Sequence, residues 1–185
     1  MEKIILVDVF DRQVGTAEKI EAHQSPKLHR AFSAFVYHEG RMLIQKRSAR
    51  KYHSGGLWAN ACCSHPRIGE RTEEAVLRRM EEEIGADRAN TAAVTKELFS
   101  FVYMNKFHDA LYEYEYDHVF AVDYGGAVTV NEEEIEAVRW VEFEELARLL
   151  CATPTTFASW FLIAAPRVLG VLGRDLAAMD GPQRA

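Results

Sequence analysis

A chain of 185 residues, 48% of them apolar, can bury roughly 70% of its unfolded surface in one compact core and needs no stapling by disulfides. Its formal net charge of −6 at pH 7 argues against nucleic acid as a partner, because affinity for the phosphate backbone depends on clustered Lys and Arg. No apolar run reaches the roughly 20 residues that span a bilayer, and three cysteines with no signal-peptide core point to a reducing cytoplasm rather than to a membrane or a secreted framework.

Taken in chain order, residues 3–10 read as a strand and 11–15 as the turn that ends it. Residues 31–37 and 42–45 flank Glu39-Gly40 and predict a hairpin. The segment 48–61, rich in Gly, Ser and basic residues, predicts a loop of the kind that carries binding groups on a regular scaffold. A helix over 73–84 follows, with Thr72 as N-cap, Glu73 and Glu74 in the first turn, Gly85 at the end, and an apolar stripe of Val76, Leu77, Met80 and Ile84. Strands at 94–103 and 111–122 are joined by a polar link. An acidic turn at 131–134 then leads to a strand at 137–141, a helix at 142–150 and a last helix from about Thr156. Nothing marks a linker or repeat, so residues 1–185 are expected to form a single domain. Strands and helices interleave without a βαβ rhythm, which favours an α+β arrangement, a mixed sheet with helices packed on its faces.

Several residue types converge on metal and proton chemistry. In the strand from Leu111 the alternation puts Glu113, Glu115 and Asp117 on one face and three tyrosines on the other; taken alone, this is a solvated acidic face over a tyrosine core. His23, His29 and His65 would make it a metal site if they converged on it, since imidazole is the commonest neutral ligand for first-row metals. His38, His53, His108 and His118 are expected to be ordinary surface or core histidines. Cys63 and His65, two apart, face the same side in extended chain, and Cys62 faces away. Glu83 and Arg79 share a helix face as a salt bridge or as part of a Mg²⁺ and phosphate site, with Lys19, Arg47 and Lys51 as further cations.

Residues 64–85 resemble the Nudix box. Glu70, Arg78, Met80, Glu82, Glu83 and Gly85 stand at its positions, while Ser64 replaces the first Gly and Arg79 replaces the Glu after the Arg. The chain as a whole resembles the type I isopentenyl-diphosphate isomerases, a family with the Nudix fold and an altered box. The resemblance rests on Glu18-Lys-Ile-Glu-Ala-His23, Leu28-His-Arg-Ala-Phe-Ser33, Leu57-Trp-Ala-Asn-Ala-Cys-Cys-Ser-His-Pro66, Glu113-Tyr-Glu115 and Thr153-Pro-Thr-Thr-Phe-Ala-Ser-Trp160. It implies a divalent metal (Mn²⁺, Zn²⁺ or Mg²⁺) held by His23, His29, His65, Glu113 and Glu115. It also implies Cys63 as the catalytic thiol, Glu115 as the group opposite it, Tyr103 as its support, and Trp160 as the aromatic over the reacting carbons.

Diphosphate contacts then fall on Lys19, Arg47, Lys51 and Arg79, with a substrate-borne Mg²⁺ touching Glu83. The implied reaction is isomerisation of isopentenyl diphosphate to dimethylallyl diphosphate through a carbocation, for isoprenoid synthesis, by a monomer or weak homodimer that uses no flavin. The expected order has Glu115 protonating the alkene and Cys63, as thiolate, removing the second proton. A Nudix hydrolase and a catalytically silent Nudix-fold binding module are the alternatives, and the cation at Arg79 argues against the first.

Overall fold

A computed structural model describes residues 2–108 and 111–179. The chain opens with an antiparallel pair, β1 (Lys3–Val7) and β2 (Gln13–Glu18). The first strand is therefore shorter than expected, and the predicted turn at 11–15 belongs partly to a second strand. Asp8 Oδ1 accepts from the Phe10 and Arg12 N–H groups and closes the reversal locally. A short helix that the sequence pattern did not reveal, α1 (Lys19–Gln24), comes next. The expected hairpin follows as β3 (His29–His38) and β4 (Arg41–Arg47), with Glu39 and Gly40 both at positive φ, as a tight primed turn requires.

The segment expected to be all loop contains β5 (Trp58–Asn60), and β6 (Cys62–Ser64) carries both cysteines. Beyond it run α2 (Thr72–Ile84), α3 (Arg88–Thr91), β7 (Thr95–His108), β8 (Leu111–Asp123), β9 (Ile135–Glu142), α4 (Phe143–Ala152) and α5 (Ser159–Met179). The last helix starts later than expected because residues 154–156 form a separate 3-10 turn opened by Pro154.

The sheet is organised around β3. It runs parallel to β8 from His29 beside Glu115 to Tyr37 beside Asp123, which leaves one edge free. That edge is taken in turn by β1 at His29, by β6 at residues 32–34 and by β4 at residues 36–38. Antiparallel pairing then adds β7 to β8, and both β5 and β9 to β4. Cys63 and Glu115 are thereby set on strands that flank opposite edges of the same central strand.

Helices cover both faces. Phe32, Ala34 and Val36 pack with Val76, Met80 and Ile84 of α2, while Phe35 packs with Leu146 of α4 and Phe161 and Val168 of α5. Full burial of one such side chain contributes about 1.5–3 kcal/mol. The apolar stripe of α2 is buried as the periodicity predicts, but its N-cap is Arg71, with no side-chain capping bond, so Thr72 lies inside the first turn. Gly85 ends the helix in the left-handed region at φ 66. The freed carbonyls of Glu83 and Ile84 accept from the N–H groups of Asn131 (2.8 Å) and Thr129 (2.9 Å). Those two bonds draw the acidic turn at 131–134 against the end of α2.

Candidate active site

A cavity of ≈ 320 Å³ opens where β3, β6 and β8 meet the loop after β4. Every residue to which the isomerase resemblance gives a role lines it except His29, which is fully buried with its ring 4.9 Å from that of His23 and 5.1 Å from that of His65. The acidic face of β8 is inverted relative to the reading of that strand alone. Glu113, Glu115 and Asp117 are buried and the tyrosines between them are half exposed, because the carboxylates have partners that arrive from four other segments.

His23, His29, His65 and Glu115 present ligand atoms that all lie within 4.8 Å of one another. The imidazoles are oriented from behind: His23 Nδ1 donates to Lys19 O at 2.7 Å and His29 Nδ1 to Lys27 O at 2.8 Å. In the neutral ring this leaves a lone pair on each Nε2. Both Nε2 atoms are buried without a hydrogen-bond partner, and that of His29 faces Glu115 Oε1 at 3.5 Å. Lone pairs converging on a carboxylate require positive charge between them, and a divalent metal fits that demand. Burial pushes the His65 imidazole down to about 4 and lowers that of His23, so both rings stay neutral and able to ligate at pH 7. Glu113 stands outside this group. Its Oε2 accepts from Tyr103 at 3.0 Å and its Oε1 lies 3.3 Å from His53 Nε2.

Glu115 is the most fully engaged carboxylate of the site. Its Oε1 meets His65 Nε2 at 3.2 Å and its Oε2 accepts from the Tyr103 hydroxyl at 2.7 Å. Burial acts to raise its pKa, yet His29 and His65 hold it well below the usual carboxylate range, while burial and the Glu115 charge raise Glu113 well above it. Cys63 is the reverse case. Burial pushes its thiol up to about 12, against the pull of Arg47, whose Nη1 donates to Sγ at 3.5 Å. The thiol is thus shifted opposite to the direction that a thiolate base needs. Desolvation, which residue spacing does not report, is the reason.

The basic quartet is also differentiated. Lys19 pairs with Glu2 at 3.0 Å, Lys51 with Glu134, and Arg79 with Glu82 at 2.9 Å, Glu83 at 2.5 Å and Glu134 at 3.3 Å. Arg47 has no carboxylate partner among the described residues; its guanidinium lies 5.0 Å from the centre of the Trp160 ring. Trp160 itself is fixed by its Nε1, which donates to Asn60 Oδ1 at 3.0 Å, and Asn60 Nδ2 in turn donates to the carbonyls of Ala34 and Cys62. One buried amide thus ties α5 to the strand that carries the thiol.

The Nudix domain family matches residues 27–161. The "Isopentenyl-diphosphate Delta-isomerase 2" of Aromatoleum aromaticum is 43% identical over 91% of this chain and 87% of its own. The chain belongs to the isopentenyl-diphosphate Delta-isomerase family, within the Nudix fold. The isomerase of that name from Photobacterium profundum is 40% identical and the match covers 95% of this chain and 97% of that one. Among solved structures, DR0079 of Deinococcus radiodurans aligns at a TM-score of 0.73 over 90% of this chain and 98% of that one. At 20% identity it bears on the fold alone.

Within this isomerase-family site, Glu2, Tyr52, His53 and Glu134 are among the cavity residues that escaped the sequence reading. His53 was expected to be ordinary, yet it is buried against Glu113, and burial brings its imidazole down to about 3. Glu134 had a usable signal, an acidic turn that had to lie somewhere near the end of α2. His53 and Tyr52 had none, since their loop has no periodicity to aim them. Cys62 faces away from the cavity as expected, fully buried, with its Sγ 3.3 Å from Glu83 Oε1.

Proposed function

We propose that Cys63 and Glu115 are the two proton-carrying groups with which this enzyme isomerises isopentenyl diphosphate to dimethylallyl diphosphate. The isomerisation itself follows from about 40% identity to isomerases along nearly the whole of both chains. In the reaction the alkene π electrons take a proton at the terminal carbon and leave a tertiary cation. A proton is then lost from the carbon nearer the diphosphate, and the electrons of that C–H bond form the new double bond. An alkene is a very weak base, so both groups must be placed in a chamber closed to bulk water. The observation that supports the pair is their placement on strands flanking opposite edges of β3, with both side chains lining one cavity.

In this reading Glu115 carries the first proton to the alkene and Cys63, as thiolate, takes the second. Tyr103, bonded to both Glu115 and Glu113, holds the Glu115 carboxyl in place. His23, His29, His65 and Glu115 would hold the divalent metal, with Glu113 beside them, and Mn²⁺, Zn²⁺ or Mg²⁺ would supply positive charge that adjusts the acidity of Glu115. Arg47 is the cation free to grip diphosphate without first losing a carboxylate. Lys19, Lys51 and Arg79 exchange theirs, with Glu83 meeting the Mg²⁺ that the diphosphate carries. Trp160 offers ring surface to the cation. No helix among the described residues is long and apolar enough to cross a membrane, and three unpaired cysteines support a reducing cytoplasm as the compartment.

Incubation with isopentenyl diphosphate and Mg²⁺ in D₂O, followed by NMR, tests the reading. Deuterated dimethylallyl diphosphate is the expected product. Released phosphate would make the site hydrolytic, and unchanged substrate would make it a binding site.

A further inference from the structure

The reaction as described gives the His53 side chain no task. His53, on the loop between β4 and β5, is 9% exposed, and its ring stacks on Phe107 with centroids 4.5 Å apart and meets Trp160 edge-on at 6.1 Å. A phenylalanine would satisfy those contacts equally well. The feature that packing does not require is the Nε2 atom 3.3 Å from Glu113 Oε1.

Glu113 matters because of what it shares. Its other oxygen accepts from the Tyr103 hydroxyl at 3.0 Å, and the same hydroxyl lies 2.7 Å from Glu115 Oε2. A phenol has one proton to donate, so Tyr103 serves the two carboxyls in competition. The last torsion of a glutamate is broad, and a Glu113 carboxyl held at only one oxygen could turn and change that competition. His53 Nε2 is the side-chain atom that stands beside the second oxygen, at 3.3 Å.

We propose that His53 is a positioning residue for the isomerisation: it fixes Glu113 from the loop and, through Glu113 and Tyr103, sets the hydrogen bonding of Glu115. The inference rests on the role of Glu115 given above. It has a consequence for binding. Lys51, two residues earlier on the same loop, is a diphosphate contact in that reading, so seating the diphosphate and preparing the carboxyl become parts of one loop arrangement.

Two variants separate this role from packing. His53→Phe keeps the stacked ring and removes the contact with Glu113; His53→Gln keeps a donor and removes the ring. In the D₂O assay with isopentenyl diphosphate and Mg²⁺, His53→Phe should lower kcat by about 10–100-fold, the range for groups that orient reacting residues, with KM within a few-fold of the parent. His53→Gln should recover most of that loss. A His53→Phe enzyme with kcat unchanged overturns the proposal, as does a His53→Gln enzyme that loses as much as His53→Phe while both keep their Tm. If the unaltered enzyme does not isomerise the substrate, the underlying reading of the site has failed instead.

Discussion

Arg47 and Lys51 are both cations of one cavity, but their neighbours make them unequal. The Arg47 guanidinium has no carboxylate against it among the described residues, whereas Lys51 is already paired with Glu134. Diphosphate must displace or recruit an acid at Lys51 and need not do so at Arg47. A charged hydrogen bond contributes about 1.5–3 kcal/mol, so Arg47→Ala is expected to raise KM by roughly 10–100-fold. Lys51→Ala should raise it less, because diphosphate gains less from a lysine that must first give up its contact with Glu134. Steady-state KM values for the two variants check the ranking, and equal effects would contradict it. At this scale the sequence was legible wherever a residue belonged to a motif. Cys63, Glu115 and the three histidines were picked out that way, and the fold brings them together in or beside one cavity. The neighbours that set their protonation came from distant segments, so the thiol at about 12 could not be foreseen.

Elements were legible in proportion to the regularity of their burial. The stripe of α2 and the alternation of β8 each follow from a face packed along its whole length. The six residues of α1 make too few turns to show a period; it carries Lys19 and His23 to the cavity while Ala22 packs with Ile4 and Ala17. β5 is three residues long, paired with β4 and bridged at Trp58 to Phe157, so its own sequence carries almost no signal. Gly85 is where element and site meet. Its φ of 66 is strained for any side chain, and a Cβ there would press on Thr129, 3.1 Å from its Cβ and 3.2 Å from its O. Gly85→Ala should cost about 1–2 kcal/mol from the left-handed backbone alone and lower Tm by roughly 2–8 °C. The same substitution should raise KM, because the displaced 129–131 segment carries Glu134 away from Lys51 and Arg79. A thermal scan with an unchanged Tm would show that the helix end tolerates the change.

For the whole molecule, the main feature is a polar centre enclosed between two helix-covered faces of one sheet. The general plan, a mixed sheet with helices on its faces, could be read from the order of elements; the branching of β3 among four partners could not, because pairing depends on which edge remains free. Enclosure has a measurable effect on metal retention. Protons and metal compete for the same imidazoles, and a ring whose folded pKa is lowered loses that competition to protons only at lower pH. With His65 at about 4 and His23 also lowered, bound divalent metal should be retained well below pH 6.5. Equilibrium dialysis across pH 4–7 measures this, and half-release near pH 6.5 would mean that the site is open to water. The central claim is that one thiol and one carboxylate, reaching the cavity from strands on opposite edges of β3, carry the two protons. It is tested most directly by turnover and substrate binding of Cys63→Ala and Glu115→Gln in parallel: each should lose turnover by about 10⁴-fold or more, the loss typical of a group that acts in the chemical step, while binding isopentenyl diphosphate within a few-fold of the parent. Substantial turnover in either variant would remove that residue from the pair.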